Sequence, residues 1–321
     1  MRHRFLLVIL LALSAAAIFA LARAGLHPSV EAARPVAVES AGAYGPPVHL
    51  ADLADASITE SSGLVASRRN PGLFWTHNDS GGGPFIYALD RRGQTRGVWQ
   101  VAGAANRDWE DIAAGPGPRS TLSYLYLGDI GDNSRRREEV IVYRVVEPLV
   151  PTAGSASTRK NPRQTETAEV FRLSYPDGSH DAEALLVHPR TGDIYIVTKS
   201  FLSAAGVYRA PVTALRGGRV TKLVRVGDLR VPGLLSSAIT GGDISPDGRR
   251  VVLCDYFYAY EMVLPGSAVS FDKIWDQPLS TINLGSRQQG ESICYRLDGR
   301  AILATSEKRP TPLIEVERSG R

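Results

Sequence analysis

Glu60-Ser61-Ser62-Gly63-Leu64-Val65-Ala66, a turn at Asn70-Pro71-Gly72, then Leu73-Phe74-Trp75-Thr76-His77-Asn78-Asp79 is the stretch that decides the fold, because its layout recurs along the chain. An acidic or small polar residue opens a short apolar segment, a breaker-rich turn follows, and a second apolar segment ends in a polar cluster. The second copy opens at Asp108-Trp109-Glu110-Asp111-Ile112-Ala113 and closes at Gly128-Asp129-Ile130-Gly131-Asp132-Asn133. The third opens at Asp181-Ala182-Glu183-Ala184-Leu185 and closes at Thr198-Lys199. The fourth opens at Gly241-Gly242-Asp243, turns at Pro246-Asp247-Gly248 and closes at Cys254-Asp255. The fifth opens at Gly290-Glu291-Ser292, turns at Asp298-Gly299 and closes at Glu307-Lys308. Short apolar segments bounded by Gly, Pro, Asn and Asp are strands, and their return as a unit marks a repeat architecture.

A third strand follows each pair, at 85–89, 140–146, 206–210, 258–264 and 312–316. A fourth is expected at 97–101, 168–173, 221–226 and 279–284. The fifth unit runs out of chain, and residues 47–53, ahead of the first unit, supply its missing strand. That closure removes the open sheet edge and predicts an all-β fold, a β-propeller of five four-stranded blades. A degenerate sixth blade requires a different strand phasing. Residues 151–166 are polar and breaker-rich and read as an exposed loop inserted in blade two.

The N-terminus reads differently. Arg2, His3 and Arg4 precede an uncharged apolar run over 5–22, with small residues after it. Residues 1–24 are a secretory signal peptide or an uncleaved N-terminal anchor. Residues 25–46 form an Ala/Pro/Gly-rich linker, and 47–321 the propeller domain. The expected location is secreted, extracellular or at the cell envelope, with a membrane involved only through that first segment.

The chain of 321 residues is 43% hydrophobic and 22% charged, which excludes wholesale disorder and a polytopic membrane protein. The formal net charge of +4 owes much to Arg2, Arg4 and Arg23. With no dense basic run interleaved with aromatics after them, nucleic acid is not an expected partner. Cys254 and Cys294 are the two cysteines; both lie in apolar strand-like segments, where export permits a disulfide and burial permits two free thiols. No CxxC, HExxH, GxSxG or phosphate-loop pattern is present.

In a blade, the start of the innermost strand and the end of its hairpin partner lie at the same mouth of the channel. The opening acids and the closing polar clusters therefore converge there. Crowded carboxylates need compensation, and oxygen-rich sets suit a hard cation such as calcium. The expected ligands are Glu60, Asn78, Asp79, Glu110, Asp132, Asn133, Glu183 and Glu291, with Ca2+ as the cofactor. Asp111, Asp243 and Lys199 are the candidate catalytic groups. Capping of strands and turns is the competing reading for each acid. Arg135-Arg136-Arg137 reads as a solvated hairpin tip that can also attract an anionic substrate.

The motifs at 60–64, 75–81, 108–113, 128–133 and 182–185 resemble a group of secreted bacterial propeller proteins near the TolB-like and phytase-like propellers, mostly uncharacterised. The resemblance covers roughly residues 55–310. It implies calcium held by channel acids, and hydrolysis of phosphoesters or other esters. By position, Glu110, Glu183 and Glu291 match the opening acids, whereas blade four offers Gly241-Gly242-Asp243 instead.

Three functions follow as expectations. One is a metal-dependent phosphoester or ester hydrolase acting on a small-molecule or polymeric extracellular substrate. A second is a non-catalytic, monomeric surface propeller binding a cell-envelope protein or glycan, with calcium structural only. A third is a glycosidase using two separated carboxylates.

Overall fold

The computed structural model describes residues 44–201, 203–232 and 237–319. The leader or anchor expected at 1–24, and most of the expected linker, lie outside the described residues. No helix among the described residues is long and apolar enough to cross a membrane.

Five sheets, each with four antiparallel strands at its centre, form the five blades of a β-propeller. Blade one comprises Ser61–Ala66, Leu73–Asn78, Phe85–Asp90 and Thr95–Gln100. Blade two comprises Trp109–Gly115, Tyr124–Asp129, Val140–Val146 and Glu169–Ser174. Blade three comprises Ala182–Val187, Ile194–Thr198, Ala205–Ala210 and Val224–Leu229. Blade four comprises Gly241–Ile244, Arg250–Cys254, Tyr258–Val263 and Ser280–Asn283. Blade five comprises Gly290–Tyr295, Ala301–Ser306 and Pro312–Glu317, and Val48–Asp52 completes it antiparallel to the third. Tyr44 already bridges Arg318, so sheet pairing starts slightly before the expected boundary.

Each inner hairpin is made by its turn chemistry. At Pro246-Asp247-Gly248 the Asp247 carboxylate accepts the Ser245 hydroxyl and the Arg249 N–H. Gly248 takes φ 69°, open to glycine without strain.

Each of the five apolar cores lies between two adjacent blades rather than within one. Leu64, Phe74, Leu303 and Leu313 join blades five and one, and Trp75, Trp99, Ile112 and Leu127 join one and two. Tyr126, Val142, Ile196 and Tyr208 join two and three. Val197, Leu253, Tyr260 and Trp275 join three and four; Val252, Ile293, Ile302 and Val316 join four and five. Burial of apolar area at ~25 cal/mol per Å² therefore acts between blades and closes the ring. Cys254 and Cys294 occupy two different cores and are free thiols. Burial pushes the Cys254 thiol up to about 12 and raises that of Cys294 as well.

Two expectations are corrected. The fourth strand of blade three is Val224–Leu229, not 221–226. Val220–Lys222 instead runs parallel to Glu169–Ser174 of blade two. Leu223, buried in the core between those blades with its N–H on Ser174 O, divides the apolar run into two strands. The insertion of blade two also does more than loop outward. Arg163–Gln164 pairs with the outer strand of blade one, and Ser157 Oγ exchanges hydrogen bonds with the Val98 backbone. It covers the sheet edge there.

Candidate metal centre

A β-bulge aims the opening residue of four blades. The register shifts at Ser62, Glu110, Glu183 and Glu291, always at the second residue of the inner strand. A bulge adds one residue and re-aims a side chain, and here it turns the acids of blades two, three and five toward the mouth. Blade four pairs without a bulge and has Gly242 at that place. Gly241 lets its inner strand approach blade five, since a Cβ there would meet Glu291 O at 2.5 Å.

The third residue of the inner strand does a different job in blades two and four. Asp111 Oδ1 accepts the Ile112 N–H at 2.8 Å, and Oδ2 accepts the N–H groups of Leu185 and Gly242 at 2.9 and 3.3 Å. Asp243 accepts the N–H groups of Ile244 and Tyr295 at 2.8 and 2.9 Å. Each carboxylate fastens its own inner strand to that of the next blade. The two expected catalytic carboxylates thus form a waist inside the channel, with their oxygens occupied by backbone donors. Burial raises both, Asp243 to about 7.

At the mouth, Asp79, Asp108 and Glu110 each offer an oxygen, all within 4.8 Å of one another. Glu110 is only 6% exposed and has no hydrogen-bond partner for its carboxylate among the described residues. Asp79 Oδ1 is likewise buried and unpartnered. Gly131 leaves room for the group, because a Cβ there would lie 2.1 Å from Glu110 Oε1 and 2.6 Å from Asp108 Oδ2. Burial, then repulsion from Glu183, Asp79 and Asp108, raises the Glu110 carboxyl well above its ordinary range. Burial pushes Asp79 up to about 7, helped by Asp108, Glu307 and Glu60. Burial and Asp181 raise Asp108. Three clustered carboxylates, one oxygen of which is buried without a donor, and no nitrogen or sulfur group among them fit a hard divalent cation.

The other expected ligands lie outside that three-oxygen cluster. Asn78 is fully used: its Oδ1 accepts the Thr59 and Glu60 N–H groups and its Nδ2 donates to Ser57 O. Asp132 Oδ2 accepts the Arg137 N–H at 2.6 Å. Glu60 and Asn133 are exposed. Glu183 is ion-paired with Lys199. Burial raises Glu183 to about 7 against the pull of that ammonium; burial opposes the Lys199 charge, and Glu183 outweighs it. Glu291 Oε1 accepts from Gln289 Nε2 at 2.9 Å, and the same amide reaches Glu307. Burial, then Glu183 and Glu307, pushes Glu291 up to about 9.

Asp108 belonged to the converging acids in the sequence but not to the expected ligand set. Tyr256, whose ring lies 5.1 Å from Lys199 Nζ, and Gln289 carry no repeat signal and were not legible. Arg135 and Arg136 are solvated as expected; Arg137 is not. It is buried, paired with Asp129 at 2.8 Å, and donates to Gly131 O at 2.8 Å, which fixes the loop over the acids.

No family model matches the chain, and no curated protein does. Among solved structures it is similar to Kuenenia stuttgartiensis hydrazine synthase, at 10% identity and a TM-score of 0.42, covering 83% of this chain and 97% of that one. A likeness that loose has no bearing on function.

Proposed function

We propose that this chain is an exported propeller that holds a calcium-class cation through Asp79, Asp108 and Glu110 and uses it to hydrolyse a phosphoester or ester. The observation that carries the proposal is the cluster of Asp79, Asp108 and Glu110, with Glu110 only 6% exposed and Asp79 Oδ1 buried without a donor among the described residues. A buried carboxylate oxygen without a donor is costly, and a bound cation would offset that cost. The resemblance to phytase-like propellers supports the same reading, as does the apolar run at 5–22 for export.

A bound ion supplies Lewis acidity toward a phosphoryl or acyl oxygen. The chain's own groups supply the rest. Glu291, whose carboxyl burial and then Glu183 and Glu307 raise, is the proposed proton donor to a leaving oxygen. Lys199 stays charged beside Glu183 and attracts an anionic substrate group.

A second reading rests on the rim. Phe201 and Phe257, on loops of blades three and four, and Tyr258, at the start of the next strand, are 50%, 57% and 48% exposed at this mouth. Exposed aromatics favour binding of a glycan or a cell-envelope protein without turnover.

The test is a panel of aryl phosphates and aryl esters assayed with calcium and with chelator, for wild type and Glu110→Gln. Turnover that needs calcium and falls at least about a hundredfold in Glu110→Gln supports the hydrolase. Calcium binding without turnover on any substrate leaves the binding reading. Mass analysis of the exported protein, showing loss of the first 22–24 residues or an intact chain in membranes, separates signal from anchor.

A further inference from the structure

The face opposite the acidic mouth is rich in arginine. Each inner strand runs away from the mouth and its partner returns, so the turns between them lie together on this far face. Those turns carry Arg69, Arg190, Arg249 and Arg300, and the outer turns of blades one and three add Arg92 and Arg216. Arg69, Arg190, Arg216 and Arg249 each donate to a backbone carbonyl, and none of the six is in an ion pair among the described residues. The acids beside them are already engaged: Asp247 by Ser245 and the Arg249 N–H, Asp298 and Glu317 by Arg296.

Apolar side chains protrude among these arginines. Leu149, Val269 and Leu297 are 63%, 97% and 40% exposed on turns of the same face. A cleft of about 380 Å³ between blades two and three opens beside Arg190 and Arg216. The chain also enters here. Val48–Asp52 runs antiparallel to Pro312–Glu317, and Tyr44 bridges Arg318 at the end of that strand away from the mouth. The sequence before it carries the apolar run 5–22, joined to Tyr44 by residues 23–43.

We infer that this far face rests on an anionic phospholipid surface, its arginines on headgroup phosphates, Leu149, Val269 and Leu297 in the interface, and the mouth turned outward. Arginines and protruding apolar groups on one face are the two signals that stable surface binding takes. Cation attraction to an anionic surface falls off within a Debye length, so the arginines must lie on the contact face itself. The inference does not depend on the metal or on any reaction.

The test is sedimentation of the full chain with vesicles of phosphatidylcholine alone and of phosphatidylcholine mixed with phosphatidylglycerol. Any insertion of the apolar run contributes to both, so the ratio reports the arginines. The expected preference for the mixed vesicles is at least about a hundredfold at low salt, and it shrinks as salt rises. Arg190→Gln, Arg249→Gln and Arg300→Gln, all at exposed turns, should lower that preference by about fivefold for each arginine removed. Arg135→Gln with Arg136→Gln, at the mouth, lowers net charge similarly and should leave the preference intact. Equal partition of wild type onto both vesicles overturns the inference, and so does an equal loss in the mouth variant. Release from mixed vesicles by inorganic phosphate, under conditions where chloride of the same ionic strength does not release it, marks a small-anion site and overturns it as well.

Discussion

The waist and the mouth of the channel are both built from buried acids one residue apart in sequence, and they behave as opposites. Asp111, at the waist, is fully buried and takes three backbone N–H groups from the inner strands of blades two, three and four. Glu110, its neighbour, is turned by the bulge to the mouth, nearly as buried, and takes none. Both carboxyls are raised, primarily by burial. What separates them is satisfaction: a buried acid with donors holds strands together, whereas one without donors is held ready for something else. Titration alone does not distinguish structural from functional acids in this protein.

The largest effect should come from breaking the waist. Asp111→Ala strands three backbone N–H groups and should cost about 4 kcal/mol in urea unfolding, with or without calcium. Glu110→Ala should cost little in chelator or even stabilise, because it removes repulsion. If the two variants lose similar stability in chelator, the contrast between waist and mouth is wrong.

Next in size is the pH dependence. Asp79, Asp243 and Glu183 are raised to about 7 and Glu291 to about 9, above their unfolded values. The folded state then binds more protons than the unfolded state from about pH 4 to 9. Stability contributed by these groups is full below pH 4 and is lost as pH rises through 7 and 9. In chelator the protein should melt higher at pH 5.5 than at pH 8.5, by about 5 °C or more. Calcium should reduce the difference by discharging the mouth. A melting temperature in chelator that rises with pH over this window would contradict the assignment.

A finer probe is Gly131→Ala. The nearest atoms the added methyl would meet are side-chain atoms of Glu110 and Asp108 rather than backbone, so the fold should tolerate it within about 2 kcal/mol. Calcium affinity should fall at least about tenfold in titration calorimetry, as the two oxygens are pushed off their positions. The smallest effect is expected for Glu183→Gln, which removes a carboxylate already paired with Lys199. Its calcium affinity should change by about threefold or less. A loss as large as that of Glu110→Gln would put Glu183 among the ligands after all.

The blades were legible because strand, turn and strand recur with the same breakers. The closing strand followed from the unpaired edge left by blade five. Glu110, Glu183 and Glu291 were legible as a set through their common place in the repeat. Their separation into an acid cluster, an ion pair and a Gln289-bound acid was not, because Lys199, Gln289 and the Gly131 loop come from blade ends that follow no common pattern. Asn78 looked like a ligand and is a turn anchor, since its neighbours' backbone N–H groups are visible only once the chain is folded. The bulges decide which acid faces the mouth and which the waist, and they have no signature in the residues themselves.

The central claim is that Asp79, Asp108 and Glu110 hold a cation, and calorimetric melting in calcium and in chelator tests it directly, for wild type and Glu110→Gln. Calcium at a hundred times its dissociation constant should stabilise wild type by about 2.7 kcal/mol, several degrees in melting temperature. Glu110→Gln should lose most of that shift while melting at or above wild type in chelator. Identical melting of wild type in calcium and in chelator would contradict the account and leave the mouth acids as groups that work without a metal.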